Sequence, residues 1–416
     1  LAFNEKPGPT WGGEMSPEEQ APLAGVRVLD LTHTIAGPYC TTMLADMGAE
    51  VVKIERPDGG DDLRTAHRYK DREEHEDYFY ANNRSKKSIV LNLKEPRPRA
   101  AAHALARQAS VFVENLSPGT AHRLGMGWED LSPINPQLVY CSVSGYGQDG
   151  PYRNRPALDP IVQAVSGAMS VTGYPEEEPI MNGAPLADVI AGMFSAFAIV
   201  SALNTTRREG QGRQIDVSLQ DAMLAALGPR MGETLQAGIA PGRYGNENPM
   251  RVPANTYRTS DGRFISVIVQ NDRFWPPFCR AINRPDLIGM ERFATMASRR
   301  EHREELDQIA AEAFVGKTAE TWVPRLEAER IPFAPVNDFA EALNDPQVAH
   351  RGILRELNHP ISGPIRVVGP PWIMTGPQAE MTPPPLLGQH TGEVLRDWLG
   401  WESKEIESSL TEGSES

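Results

Sequence analysis

Between Gly25 and about Gly147, short runs of aliphatic and β-branched residues alternate with helical stretches, and this alternation leaves the chain few architectures. Consecutive strands separated by a helix pair in parallel, and a parallel sheet needs helices on both faces to cover it. Val26-Arg-Val-Leu-Asp-Leu31 reads as the first strand. A helix follows from about Gly37 to Met47, with Gly48 in the stopping position, and Glu50-Val-Val-Lys-Ile-Glu55 reads as the second strand. Ser88-Ile-Val-Leu-Asn-Leu93, Val111-Phe-Val-Glu114 and Leu138-Val-Tyr-Cys-Ser-Val143 continue the series, with Arg99 to Gln108 as one intervening helix. The expected fold is α/β: a doubly wound, mostly parallel, Rossmann-like sheet.

At 416 residues the chain is longer than one core usually serves. From Asp221 to about Asn344 the texture changes to longer helical stretches and one hairpin, Asn255-Thr-Tyr-Arg-Thr-Ser-Asp-Gly-Arg-Phe-Ile-Ser-Val-Ile-Val269, turning at Ser260-Asp-Gly262. This reads as a smaller α+β domain over 221–344, set between a large domain over 22–220 and a return segment over 345–400 that completes it. The stretch 360–385 reads as Pro-rich and extended, a helix is expected over about 393–398, and 402–416 reads as frayed.

Net charge is −14, from 41 Lys+Arg against 55 Asp+Glu, which argues against nucleic acid or an anionic membrane as partner because both need a basic surface. A small anionic substrate would need a local basic patch. Cys40, Cys141 and Cys279 lie far apart, without the paired spacing of zinc or redox motifs, so a reducing, cytoplasmic location and no metal are expected. The stretch 1–20, rich in Pro, Gly and Glu, reads as neither a signal nor a transit peptide. The apolar run from Val189 to Leu203 falls short of the roughly 20 residues a spanning helix needs and is expected to be a buried helix. The turn after the first strand, Thr32-His-Thr-Ile-Ala-Gly-Pro38, lacks the G-x-G-x-x-G fingerprint, so NAD or FAD use is not expected.

Asp188 stands immediately before the apolar run, an odd place for a charge. It can serve as the N-cap of that helix, accepting hydrogen bonds from the first free amides. It can also serve as a nucleophile, a desolvated carboxylate kept ionised by the helix N-terminus. The two readings are compatible. His33, His67, His75, His103 and His122 show no metal-ligand spacing and read as surface or hydrogen-bonding residues. Arg56, Lys94 and Arg123 follow predicted strands, at the end of an open α/β sheet where ligands bind.

These residues fall in ordered blocks that resemble the class III coenzyme A transferases, the family of formyl-CoA transferase and the carnitine and bile-acid CoA transferases. The blocks are Pro22-Leu-Ala-Gly-Val-Arg-Val-Leu-Asp-Leu-Thr32 with Ala36-Gly-Pro38, Gly48-Ala-Glu-Val-Val-Lys-Ile-Glu-Arg-Pro57, and Asn83-Arg-Ser-Lys-Lys-Ser-Ile89. Val113-Glu-Asn115 with Pro118-Gly119, Gly145-Tyr-Gly147 and Pro385-Leu-Leu-Gly-Gln-His-Thr391 extend the match over about 23–400. The resemblance implies that Asp188, in Gly183-Ala-Pro-Leu-Ala-Asp188, is the nucleophile. It would attack an acyl-CoA thioester, pass through a mixed anhydride and an aspartyl-CoA thioester, and hand CoA to a second acid. CoA is then a substrate, with no permanently bound cofactor. Ile35, Ala36, Arg56, Leu91, Lys94, Asn115, Arg123 and Tyr146 are implied to touch it, and an interlocked homodimer is implied.

Two departures refine this expectation. Ile35 stands where formyl-CoA transferase has a glutamine beside the acyl group, and Glu247-Asn-Pro-Met-Arg251 replaces its glycine-rich loop, so formyl and oxalyl substrates are not expected. Arg243 and Arg251 suit a second carboxylate, so a dicarboxylic acyl-CoA such as succinyl-CoA is expected as donor. Intramolecular transfer between the carboxyls of one diacid would use the same Asp188. The related 2-methylacyl-CoA racemases need a His-Asp pair about thirty residues earlier, and here Leu158 precedes Asp159, which disfavours that reaction.

Overall fold

Six parallel strands in the order β3-β2-β1-β4-β5-β6 organise the larger part of the chain. A computed structural model describes residues 20–66 and 76–410, so His67 and His75 lie outside the described residues. In chain order the elements that build the sheet are β1 (Arg27–Leu31), α1 (Ala36–Asp46), β2 (Glu50–Glu55), α2 (Asp77–Ala81), β3 (Lys86–Val90), α3 (Pro96–Gln108) and β4 (Val111–Glu114). They continue with α4 (Thr120–Arg123), α5 (Trp128–Leu131), β5 (Val139–Ser144), α6 (Asp159–Val165), α7 (Leu186–Glu209), β6 (Arg213–Ser218) and α8 (Leu219–Leu227).

The described chain divides into two compact units. One holds the residues up to Ala168, Asn182–Gly232 and those from Pro346 onward; the other holds Met169–Met181 and Glu233–Asp345. The larger unit runs on to Gly232, beyond the expected limit at 220, because Leu219, Ala222 and Met223 of α8 bury in the core of the sheet.

Side-chain alternation along the strands sends residues to two cores. Val28, Val51, Val113 and Cys141 pack under Cys40 and Leu44 of α1 and Ala191 and Ile199 of α7. Leu29, Val52, Ile89, Phe112 and Tyr140 face the other way, against Leu105 of α3 and Val394, Leu395 and Trp398 of the helix Thr391–Leu399. Each fully buried Leu or Val contributes about 1.5–3 kcal/mol, so the helices on both faces hold the sheet between two apolar layers. Pro96 at the first helical position starts α3 three residues ahead of the expected Arg99, since its missing N–H costs nothing there.

The helix α7, expected to be buried, is buried along one stripe only. It has 24 residues and is long and apolar enough by composition to cross a membrane. Ala187, Ala191, Ser195, Ile199 and Leu203 form its buried stripe, while Met193, Phe194 and Phe197 are exposed. At Gly192 the backbone of α1 comes so close that a Cβ would lie 2.7 Å from the Ala36 carbonyl oxygen.

The return segment also departs from expectation. Within the stretch expected to be extended, Gly363–Val368 is a strand that pairs antiparallel with the preceding Leu354–His359, a hairpin the sequence reading did not include. Beyond it, the Pro385-to-Thr391 block lies along the outer edge of β3. The Ser88 N–H donates to His390 Nδ1 at 3.2 Å, the Val90 N–H to Thr391 Oγ1 at 3.1 Å, and the His390 N–H to the Ser88 carbonyl at 2.9 Å. This block closes an edge that would otherwise invite pairing with another chain. The helix Ser403–Leu410 replaces the expected fraying over its span, because Ile406 docks into the sheet core.

In the smaller unit, the expected hairpin is Ala254–Arg258 paired with Phe264–Ile268, and Phe333–Pro335 adds a third antiparallel strand. Phe278, Phe293, Phe314 and Trp322 fill its core, with the Trp322 indole N–H donating to the Phe314 carbonyl at 2.9 Å.

Candidate active site

The strand order reverses between β1 and β4, so their carboxyl ends diverge and leave a crevice, the usual ligand site of an open α/β sheet. The β1–α1 turn at this point has no phosphate-binding glycines and is instead fixed from three sides. Lys53 Nζ, fully buried, donates to the Thr32 carbonyl at 2.6 Å. The Asn115 side chain accepts from the His33 N–H and donates to the His33 carbonyl, both at 2.8 Å. Asp61 accepts from the Thr34 N–H at 3.1 Å. Together these contacts hold Thr34, a β-branched residue, at φ 63°, a left-handed conformation it would not adopt unaided.

Below the turn lies a buried charge cluster. Asp30 on β1 accepts from Thr41 Oγ1 at 2.6 Å and pairs with Lys86 Nζ on β3 at 3.2 Å. Burial alone would raise the Asp30 pKa, but Lys86, Lys53 and the Thr32 and Thr41 hydroxyls together bring it below the ordinary value. Burial in turn pulls Lys86 down to about 8, with Asp30 opposing. Glu55 on β2 receives both Arg64 Nε at 2.8 Å and Nη2 at 2.7 Å in a bidentate pair.

A cleft of about 550 Å3 opens above these strand ends, lined by Thr32, His33, Arg56, Leu91, Lys94 and Leu124 among others. Arg56, Leu91 and Lys94 therefore meet in one cleft. Arg56 already pairs with Asp62 and is 3.7 Å from Asp58. Asn115 serves the turn with its side chain, and its neighbour Leu116 lines the cleft. Arg123, on α4 beside the cleft, donates to Thr120 Oγ1 at 2.7 Å. Tyr146 sits between Gly145, where a Cβ would meet the Ala157 Cβ at 2.2 Å, and Gly147 at φ 93°, and its ring meets Tyr152 edge-on at 5.6 Å. Ile35 is the N-cap of α1 and Ala36 its first residue. From the cleft at Thr32 and His33 the chain thus runs through Ile35 to Ala36, which touches Gly192 of α7, one turn beyond Asp188.

The position of Asp188 corrects the capping assignment. Pro185 is the N-cap of α7, and Asp188 is its third residue. The first amides are capped from elsewhere: Asp159 Oδ1 accepts from the Ala187 N–H at 2.7 Å and the Asp188 N–H at 3.4 Å, while Oδ2 accepts from Gln163 Nε2 at 2.6 Å. Half-buried, the Asp188 carboxylate receives no hydrogen bond among the described residues. Burial, then the charge of Asp159, push it up to about 7. Asp159, named in the sequence only as the neighbour of Leu158, is thus the residue that caps the first turn of α7 and raises Asp188. Leu158 itself is 71% exposed and offers nothing that could carry a proton.

The two loop arginines differ. Arg243 donates to the carbonyls of Tyr174, Pro175 and Glu177, so it staples backbone rather than waiting for a substrate. Arg251 Nε is buried without a hydrogen-bond partner among the described residues. Of the other described histidines in the sheet region, His103 hydrogen-bonds the Gly125 carbonyl at 2.6 Å, and exposed His122 has its Nδ1 3.3 Å from an Asp130 carboxylate oxygen.

A family model described as CoA-transferase family III matches residues 23–391. The chain is 36% identical to a succinyl-CoA:glutarate CoA-transferase of Mus musculus, covering 95% of this chain and 91% of that protein. It is also 36% identical to a succinate–glutarate CoA-transferase of Agrobacterium fabrum, covering 92% and 96%. A solved structure of a CAIB/BAIF family protein from Brucella suis superposes with a TM-score of 0.82 at 31% identity, covering 91% of this chain and 99% of that one. With a sheet, a switch-point cleft and a near-complete sequence match in agreement, the chain is a CoA-transferase and belongs to CoA-transferase family III.

Proposed function

We propose that this enzyme moves CoA from a dicarboxylic acyl-CoA, succinyl-CoA being the model donor, to a dicarboxylic acid through a covalent intermediate on Asp188. The observation that carries this is a carboxylate in the first turn of α7 with no hydrogen bond among the described residues to quiet it, its basicity raised by burial and then by a second carboxylate. A more basic carboxylate is a better nucleophile once ionised. Its oxygen attacks the thioester carbonyl, and the C–S bond breaks to give a mixed anhydride and CoA thiolate. The thiolate then attacks the Asp188 acyl carbon, releasing the donor acid as its carboxylate and leaving an aspartyl-CoA thioester. The acceptor carboxylate repeats both steps in reverse, and no net proton is consumed.

Asp159 acts here as a positioning residue. By holding the Ala187 and Asp188 amides it fixes the first turn of α7 and keeps those donors from neutralising the nucleophile. Dicarboxylate use is favoured by the mouse and Agrobacterium relatives, whose names specify succinyl-CoA or succinate with glutarate. Transfer between the two carboxyls of one diacid would use the same intermediate. Competition of mono- and diacids of four to six carbons for CoA from succinyl-CoA tests the substrate class; diacids are expected to win, and preference for monoacids would refute it.

The exposed apolar residues at and within α6 and α7, the N-cap Leu158 with Ile161, Phe194 and Phe197, favour a homodimer that covers them with a second copy rather than a lipid surface. The three thiols, all buried and unpaired, suit a reducing compartment such as the cytoplasm.

A further inference from the structure

We propose that Arg123 and Arg153 form a two-guanidinium clamp for a phosphate of the CoA substrate, which makes Arg153 a substrate ligand; the proposal rests on the CoA-transferase reading above. Gly119 lies in the loop after β4 at φ 82°. A Cβ built there would be 3.4 Å from Arg123 Nη1 and 3.6 Å from Arg153 Nη2. Two cations, one at the end of α4 and one from the loop after β5, therefore converge on a single point where glycine leaves room.

No carboxylate among the described residues answers them. Arg123 donates to the neutral Thr120 hydroxyl, and Arg153 pairs with no acid. This is unusual for the carboxyl end of the sheet in a chain of net charge −14, where Arg56 is matched by Asp62 and Arg64 by Glu55 and Glu76. The neighbouring Arg155 is also engaged, lying 3.6 Å over the Tyr152 ring. Like charges held together without a counter-ion favour an anion from outside, and two planar guanidinium groups suit the oxygens of a phosphate.

The location fits the ligand. Leu116 and Leu124, which flank Gly119 and Arg123 in the chain, line the switch-point cleft, so the clamp stands on its β4 rim. CoA carries a diphosphate and a 3′-phosphate, and the cleft's own arginine, Arg56, is already neutralised by acids. Unpaired cations on the rim supply what the cleft lacks.

The test uses the full-length protein and calorimetric titration with CoA and with 3′-dephospho-CoA at fixed ionic strength. Arg153 is exposed, so Arg153→Gln is expected to leave the circular dichroism spectrum unchanged and to weaken CoA binding about tenfold. Arg153→Lys is expected to recover part of that loss. If the loss vanishes with dephospho-CoA, the clamp holds the 3′-phosphate; if it persists, the clamp holds the diphosphate, and either result supports the proposal. Wild-type binding of CoA matched by Arg153→Gln would overturn the clamp alone. Failure of the wild type to bind CoA would overturn the enzymatic reading and the clamp with it.

Discussion

Asp30 and Asp188 are both withdrawn from solvent on the α1 side of the sheet, yet burial has opposite outcomes for them. Asp30 is fully buried and stays acidic, because two lysines and two threonine hydroxyls surround it. Asp188 is only half-buried and rises to about 7, because burial pushes it up, no cation among the described residues offsets that push, and the Asp159 carboxylate adds to it. Burial raises both carboxylates, and the sign of the net shift depends on whether the neighbours oppose it, as the two lysines do for Asp30, or add to it, as Asp159 does for Asp188. The first arrangement ties the carboxylate to fixed partners, while the second leaves the oxygen free, as the nucleophilic role proposed for Asp188 requires.

The sharpest way to break this contrast is to remove each charge in turn. Asp188→Asn is expected to lower the rate of CoA transfer at least about 1,000-fold, because an amide cannot form the acyl intermediate; steady-state assays with succinyl-CoA check this. Lys86→Met should leave Asp30 buried without its main partner and cost about 3–5 kcal/mol in urea denaturation.

The pH dependence comes next in size. Asp188 must be ionised to attack, so kcat/KM should fall as pH drops through about 7. Asp159→Asn keeps an oxygen for the Ala187 amide but removes the negative neighbour, so the acid limb should move to lower pH. A limb that does not move would mean that Asp159 acts only as a cap. The smallest effect is on stability. The folded pKa of Asp188 lies above the ordinary 3.8, so the native state holds its proton more firmly than the unfolded chain, and stability falls as pH rises from about 4 to about 7. Asp188→Asn should therefore be more stable than wild type at pH 8, by about 1–2 kcal/mol, with the gap closing toward pH 4. This sign is opposite to that of Lys86→Met, and a loss of stability in both variants would erase the contrast.

Much of the sheet was legible because its strands are short apolar runs between clear stops. Glu50–Glu55, bounded by Gly48 and Pro57, lies where the sequence puts it. The third strand begins two residues before the expected Ser88, since Lys86 looks like a surface residue until Asp30, 56 positions earlier, is brought against its ammonium. The strand Arg213–Ser218 was missed altogether: only Ile215 and Val217 interrupt its polar residues, as suits a half-exposed edge. At the site, Pro185 is a local sign that α7 begins before Asp188. The cap itself comes from Asp159, 28 residues before the Ala187 amide it holds, and no local pattern reveals a partner brought in by the fold. Arg243 shows the same limit in the other direction, being free in the sequence and tied to three carbonyls in the structure.

The central claim is that Asp188 carries the CoA. Incubation with succinyl-CoA followed by hydroxylamine, with peptide mass spectrometry as the readout, tests it most directly. The expected result is a hydroxamate on Asp188 that requires succinyl-CoA and is absent from Asp159. An actively turning-over preparation with no modification at Asp188, or with the modification on another carboxylate, would contradict the account.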